Sequence, residues 1–189
     1  VCLHVDPAQC LRKLGATSMD QVPQEFLKAC REFEVGKIEE EEWLKIFQEA
    51  TNHQHDDEFL RDAFNTIIGD HIHGMRNFVE TVAYAGYRLV FLSDTSPLHL
   101  NECFRKLDFA NLITGGIYSF EVGYLKPDSA MYVAMERRYG VPCLYTDDKP
   151  GNCEAAANLG WNAHVFTSAH ELLKEFRTIH QEPDDDSSL

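Results

Sequence analysis

The sequence predicts an α/β protein, a parallel sheet covered by helices on both faces and preceded by a run of helices. Two observations carry this. From Asp6 to Gly86 apolar residues recur at helical spacing, and after Gly86 short apolar runs alternate with helical segments. Short strands alternating with helices are the signature of a parallel sheet, whose strands are buried on both faces and read as unbroken apolar runs. A third observation bounds the size: 189 residues suffice for one core with a modest helical addition.

The elements follow in order. Asp6-Pro7-Ala8-Gln9 supplies an N-cap, a proline at the first helical position and a glutamine at the third, and Gly15 stands where that helix should stop. Ser18-Met19-Asp20-Gln21 is a second start, leading to a helix near 23–35 that puts Phe26, Leu27, Cys30 and Phe33 on one face and ends at Gly36. The next helix, Glu39 to Ala50, opens with four glutamates at its positive end and carries Trp43, Leu44, Phe47 and Ala50 inward. Two more helices are predicted near 56–68 and 75–85. Tyr87 to Leu92 then reads as a strand, followed by Ser93-Asp94-Thr95-Ser96-Pro97 and a helix to about Leu107. Strands at Ile117–Ser119, Cys143–Thr146 and Asn162–Phe166 alternate with helices at Asp128–Tyr139 and Asn152–Leu159, the latter stopped by Gly160. Ser168-x-x-Glu171 caps the last helix. Residues 181–189, with four acids and no base, read as a disordered acidic tail.

Composition excludes some partners. With 31 acidic and 17 basic residues the net charge is −14, which disfavours nucleic acid and anionic membrane, since both demand clustered Lys and Arg. Six cysteines form no C-x-x-C pair and read as reduced thiols rather than as a disulfide framework. The pairs His53/His55 and His71/His73 do not share a helix face, so neither reads as a metal site. No apolar run approaches a membrane span and no signal segment opens the chain, so the reading is a soluble cytoplasmic protein.

Three polar clusters stand just past apolar runs: Ser93-Asp94-Thr95, Leu125-Lys126-Pro127, and Thr146-Asp147-Asp148-Lys149-Pro150-Gly151-Asn152. Loops beyond strand C-termini form the ligand crevice of an open α/β sheet, so a hydroxyl, a cation and a carboxylate pair could meet there, a set suited to a phosphate and a divalent metal. Each has a plainer reading: Ser93 as a turn residue, Lys126 as a solvated loop lysine, Asp147 or Asp148 as a helix cap. Two adjacent acids at a strand end nevertheless repel each other unless something neutralises them.

Taken together these motifs resemble those of the haloacid dehalogenase-like (HAD) superfamily, in a subgroup similar to alpha-D-glucose-1-phosphate phosphatase-like proteins. The resemblance implies a three-layer Rossmann-like core over 1–7 and 81–180 and an inserted helical cap domain over 8–80. It implies that Ser93 contacts a phosphoryl group beside the backbone amides of Asp94 and Thr95, that Lys126 neutralises charge, that Asp148 binds Mg2+ with help from Asp147, and that Asn152 supports them. The implied activity is hydrolysis of a small phosphorylated metabolite, with sugar phosphates favoured, through an aspartyl phosphate. Val1-Cys2-Leu3-His4-Val5-Asp6-Pro7 resembles the part that follows the family's first motif, so the nucleophilic Asp is expected just upstream of Val1, with Asp6 a helix cap. The sheet should then be open beside strands 87–92 and 143–146. Alternatives are a 2-haloacid dehalogenase-like hydrolase, which the Asp147-Asp148 pair argues against, and a catalytically inactive HAD-fold binding module.

Overall fold

The computed structural model describes residues 1–180, and the tail expected over 181–189 lies outside the described residues. The chain opens with β1 (Leu3–Val5), followed by α1 (Pro7–Lys13), α2 (Gln24–Glu34), α3 (Glu40–Ala50) and α4 (Asp57–Asn65). Next come β2 (Ile68–His71), α5 (Met75–Tyr84), β3 (Leu89–Ser93), α6 (Pro97–Lys106), β4 (Ile113–Tyr118) and the single turn α7 (Ser119–Val122). It closes with α8 (Ser129–Tyr139), β5 (Tyr145–Asp147), α9 (Pro150–Asn158), β6 (Ala163–Val165) and α10 (Ala169–His180).

Local chemistry explains the helix starts. Asp6 caps α1, its Oδ1 accepting from the Ala8 N–H at 3.0 Å, and its Oδ2 pairs with Arg12 at 3.1 Å. Ser18 and Gln21 form a reciprocal capping box around a short 3-10 turn ahead of α2. Asp56 caps α4 through the Phe59 N–H at 2.8 Å.

The four helices α1 to α4 share one core around Trp43, whose side chain is fully enclosed together with Phe33, Phe47, Leu60 and Phe64. The Trp43 ring stacks on Phe33 at 5.2 Å, and Phe26 stacks on Phe47 at 4.2 Å. The fifth helix expected in the same unit packs elsewhere. Met75, Phe78, Val79 and Val82 of α5 join Leu107, Phe109, Leu172 and Phe176 in a second core. Packing thus places α5 with the α/β part, whereas the sequence expectation ran the helical unit on to residue 80.

Among the described residues the strands form three two-stranded sheets. Two are parallel, β3 with β4 from Leu89↔Ile113 to Ser93↔Tyr118, and β5 with β6 from Tyr145↔Ala163 to Asp147↔Val165. The third, β1 with β2, is antiparallel. Neither β1 nor β2 was legible as a strand, because Gly69-Asp70-His71 carries no apolar pattern. β4 begins four residues earlier than expected. Its Gly115 and Gly116 hid the strand, yet the space beside them is occupied: a Cβ on Gly115 would overlap the Tyr139 hydroxyl.

No pairing joins β3 to β5. All five residues of β3 are only half-buried, and a cavity of about 1330 Å³ borders both strands, with Val90, Leu92, Leu144 and Thr146 among its walls. The Thr146 hydroxyl is buried there without a hydrogen-bond partner among the described residues. The opening expected beside these two strands is present. Among the described residues no helix is long and apolar enough to cross a membrane, and all six cysteines are free.

Candidate active site

The C-terminal ends of β3 and β5 open into the same cavity, so Ser93, Asp94, Asp147 and Asp148 all line it although about fifty residues separate the pairs. Lys126 joins the two strands. Its backbone N–H donates to Asp94 Oδ1 at 2.9 Å, while its ammonium donates to the Leu92 carbonyl at 2.8 Å and to Asp147 Oδ2 at 2.6 Å. The pair is buried, with 8% of the lysine and 6% of the aspartate side chain exposed. A lysine after Gly123-Tyr124-Leu125 would ordinarily be solvated; here two acceptors fix it.

Asp147 is fully engaged. Oδ2 also accepts from the Tyr145 hydroxyl at 2.9 Å, and Oδ1 accepts from the Lys149 N–H at 2.9 Å and from Asn152 Nδ2 at 3.0 Å. Burial pushes the Asp147 pKa up, but the Lys126 ammonium and these hydrogen bonds outweigh it and hold the carboxyl below the ordinary carboxylate range. Burial, reinforced by the charge of Asp147, pushes the Tyr145 phenol strongly upward, so it stays a proton donor. Asn152 is itself anchored, its carbonyl accepting from the Tyr132 hydroxyl at 2.9 Å.

Asp148 differs from its neighbour. It is exposed and accepts no hydrogen bond among the described residues, so its oxygens are open to a ligand. Both acids precede α9, which begins at Pro150 with Lys149 at its cap position and directs its positive end toward them.

The first cluster is only partly as expected. Ser93 ends β3 half-buried and its hydroxyl makes no hydrogen bond among the described residues. Asp94 spends one carboxylate oxygen on the Lys126 loop; burial raises its pKa, and the Lys126 amide and charge oppose the rise. The Thr95 amide, expected to meet a phosphoryl group, is already committed: it donates to Ser119 Oγ at 2.9 Å in a buried setting. Thr95 therefore braces the loop. Ser96 caps α6 through the His99 N–H at 3.3 Å.

Sequence reasoning missed Tyr145, Ser119 and Lys149. Tyr145 was within reach, because it lies two residues before Asp147 and so on the same face of β5. Ser119 was not, since nothing local marks the serine that opens α7 as the partner of a loop 24 residues away. Asp6, the one acid near the amino end, caps α1 and pairs with Arg12, as expected for a helix cap.

No family model matches the chain. Among curated proteins it is similar to flavin mononucleotide hydrolase 1 (chloroplastic) of Arabidopsis thaliana, at 26% identity over 167 residues, spanning 84% of this chain and 67% of that protein. Its fold matches that of a HAD family enzyme from Bacteroides thetaiotaomicron with a TM-score of 0.80 at 17% identity, over 94% of each chain. The chain has the haloacid dehalogenase-like fold. The Bacteroides enzyme in complex with magnesium and inorganic phosphate matches this chain with a TM-score of 0.77 at 18% identity, over 89% of this chain and 90% of that one. An HAD-like family hydrolase from Porphyromonas gingivalis matches with a TM-score of 0.76 at 18% identity, over 97% and 94% of the two chains. In this fold the ends of β3 and β5 and the Lys126 loop line one crevice, and α1 to α4 form a helical unit with its own core.

Proposed function

We propose that the chain acts in magnesium-dependent hydrolysis of a small phosphomonoester through an aspartyl phosphate. The observation that carries this is the buried Lys126 ammonium, 2.6 Å from Asp147, beside the open carboxylate of Asp148 at the ends of β3 and β5. The Arabidopsis relative is named for hydrolysis of flavin mononucleotide, itself a phosphomonoester. The domain division proposed with this reading is a helical cap from α1 to α4 over an α/β core.

Each residue then has a task. Lys126, held rigid between Leu92 and Asp147, places positive charge on the phosphoryl oxygens, and the free Ser93 hydroxyl and the Asp94 amide hydrogen-bond them. Asp147 orients the lysine, and Asn152 and Tyr145 hold Asp147. The donors suit Mg2+: Asp148 offers hard oxygens with no protein partner, although no three His, Cys, Asp or Glu residues form a ready cage among the described residues. Asp148 would hold the ion, together with substrate oxygens and water. Bound there, magnesium supplies charge that lowers repulsion between the phosphate and the surrounding carboxylates. The nucleophilic carboxylate is assigned to an apolar strand seated between β3 and β5, where the unpaired edges and the cavity leave room for one. Its oxygen bonds to phosphorus as the alcohol oxygen leaves and takes a proton; water then cleaves the acyl phosphate to carboxylate and inorganic phosphate.

Two measurements test this. In calorimetric titration with Mg2+, Asp148→Asn should weaken binding by at least about tenfold and by more than Asp147→Asn; equal, undiminished affinity in both variants sinks the assignment. Hydrolysis of an aryl phosphate with Mg2+ should be near zero for residues 1–189 alone and at least about a thousandfold faster for a form extended by an apolar strand ending in Asp. Full turnover by the short form, abolished by Asp6→Asn, would make Asp6 the nucleophile. No turnover by the extended form would favour a phosphate-binding module instead.

A further inference from the structure

The helical unit touches the crevice through one unexplained charged group. Glu34 ends α2 and lines the same cavity as Asp94, Lys126, Asp148 and Lys149. Its backbone is clamped to the α/β part. The Glu34 carbonyl accepts from Ser119 Oγ at 2.6 Å, and that same hydroxyl oxygen accepts from the Thr95 amide, one residue past Asp94. Two residues on, Gly36 has φ +66, and a Cβ there would overlap the Phe120 carbonyl, so the turn after Glu34 is pressed directly onto the α7 backbone. These contacts fix where the Glu34 side chain starts, and they tie that point to the loop that carries Ser93 and Asp94.

The carboxylate itself is uncommitted. It is half-buried and makes no hydrogen bond or ion pair among the described residues. Burial and the neighbouring Asp94 push its pKa up, while Lys149 and Arg31 pull the other way, which places it electrostatically among the crevice residues. A half-buried acid without a partner costs stability, and α2 holds other acids, Glu25 and Glu32, that do not line the cavity.

We propose that Glu34 is the specificity-determining group for the alcohol portion of the substrate, accepting hydrogen bonds from its hydroxyls and rejecting a carboxylate or second phosphate. Resting on the phosphate-site reading above, this narrows the substrate class to phosphomonoesters of neutral polyhydroxylated alcohols. The physics is that of discrimination by repulsion: a fixed carboxylate in a partly dry crevice attracts O–H donors and penalises a second anion.

A matched pair of ligands isolates this effect. Glycerol phosphate and phosphoglycerate differ in a CH2OH against a carboxylate. Dissociation constants for both, and for inorganic phosphate, should be measured with Mg2+ for the unaltered chain, for Glu34→Gln, which keeps shape and removes charge, and for Glu34→Lys. The unaltered chain should prefer glycerol phosphate; Glu34→Gln should narrow the preference about tenfold and Glu34→Lys should invert it, with inorganic phosphate changed less than about twofold in Glu34→Gln. Thermal unfolding should show both variants folded, and Gln alone decides if Lys is not. An unchanged ligand ratio in a folded Glu34→Gln that still binds inorganic phosphate overturns the role of Glu34 and leaves the phosphate site standing. Failure of inorganic phosphate to bind the unaltered chain overturns both.

Discussion

The helical unit and the sheet region of this chain end in opposite conditions, although β3 (Leu-Val-Phe-Leu-Ser) is the more apolar segment. Around Trp43 the side chains of α1 to α4 close on one another, with Trp43, Leu60 and Ala63 wholly buried. Around β3 every residue is half exposed and a large cavity runs along the strand. The difference lies in backbone hydrogen bonding. A helix pairs its N–H and C=O groups within itself, so four amphipathic helices need only bury their stripes against each other. A strand leaves half its groups to each neighbour, so β3 and β5, each paired on one edge, stay incomplete until something lies between them.

Mutations should separate the two conditions. The largest effect is expected inside the closed core, where Trp43→Ala removes a fully enclosed ring and should cost about 3–5 kcal/mol in chemical denaturation. A loss under about 1 kcal/mol would show that the helical packing is looser than its geometry. Next comes Lys126→Ala, which leaves Asp147 buried without its counter-charge; about 3 kcal/mol is expected, tempered by the hydrogen bonds that Tyr145, Lys149 and Asn152 still supply.

The same pair sets an acid limit. The folded-state pKa of Asp147 is depressed, so its contribution to stability is complete above the ordinary carboxylate range near about 4 and is lost as pH falls through the lower folded value. Asp94 and Glu34, whose pKa values are raised, act in the opposite sense. Stability measured against pH should therefore fall less steeply below about pH 4 in Asp147→Asn than in the unaltered chain, and identical slopes would remove Asp147 from the account. The smallest effect should be Leu92→Ala on the open side of β3, at about 1 kcal/mol or less because the side chain already borders empty space. If Leu92→Ala matched Trp43→Ala, the opening between β3 and β5 would have to be closed in solution.

Much of this was legible in the sequence because its causes are local. The Asp6 and Ser18 caps, the Gly15 and Gly36 stops and the helical spacing around Trp43 are decided within a turn or two of chain, and the helices stand within a few residues of where the pattern put them. The motifs were legible in kind: Lys126 and Asp147 do meet, at 2.6 Å, because loops beyond strand C-termini open to the same crevice. What depends on distant partners was not. The Thr95 amide was expected to face a ligand and instead serves Ser119, and α5, helical as expected, joined the other core.

The sequence by itself therefore determined the elements, their α/β class and the chemical types brought to the crevice, since propensity, capping and periodicity act over a few residues. Only the tertiary structure decided which of two adjacent aspartates is buried and which is open, that Glu34 reaches the crevice from another unit, and that β3 and β5 do not touch. Those outcomes depend on hydrogen-bond partners and burial supplied from 20 or more residues away, as with Lys126 and Asp147 or Ser119 and Glu34, and no local pattern encodes a partner.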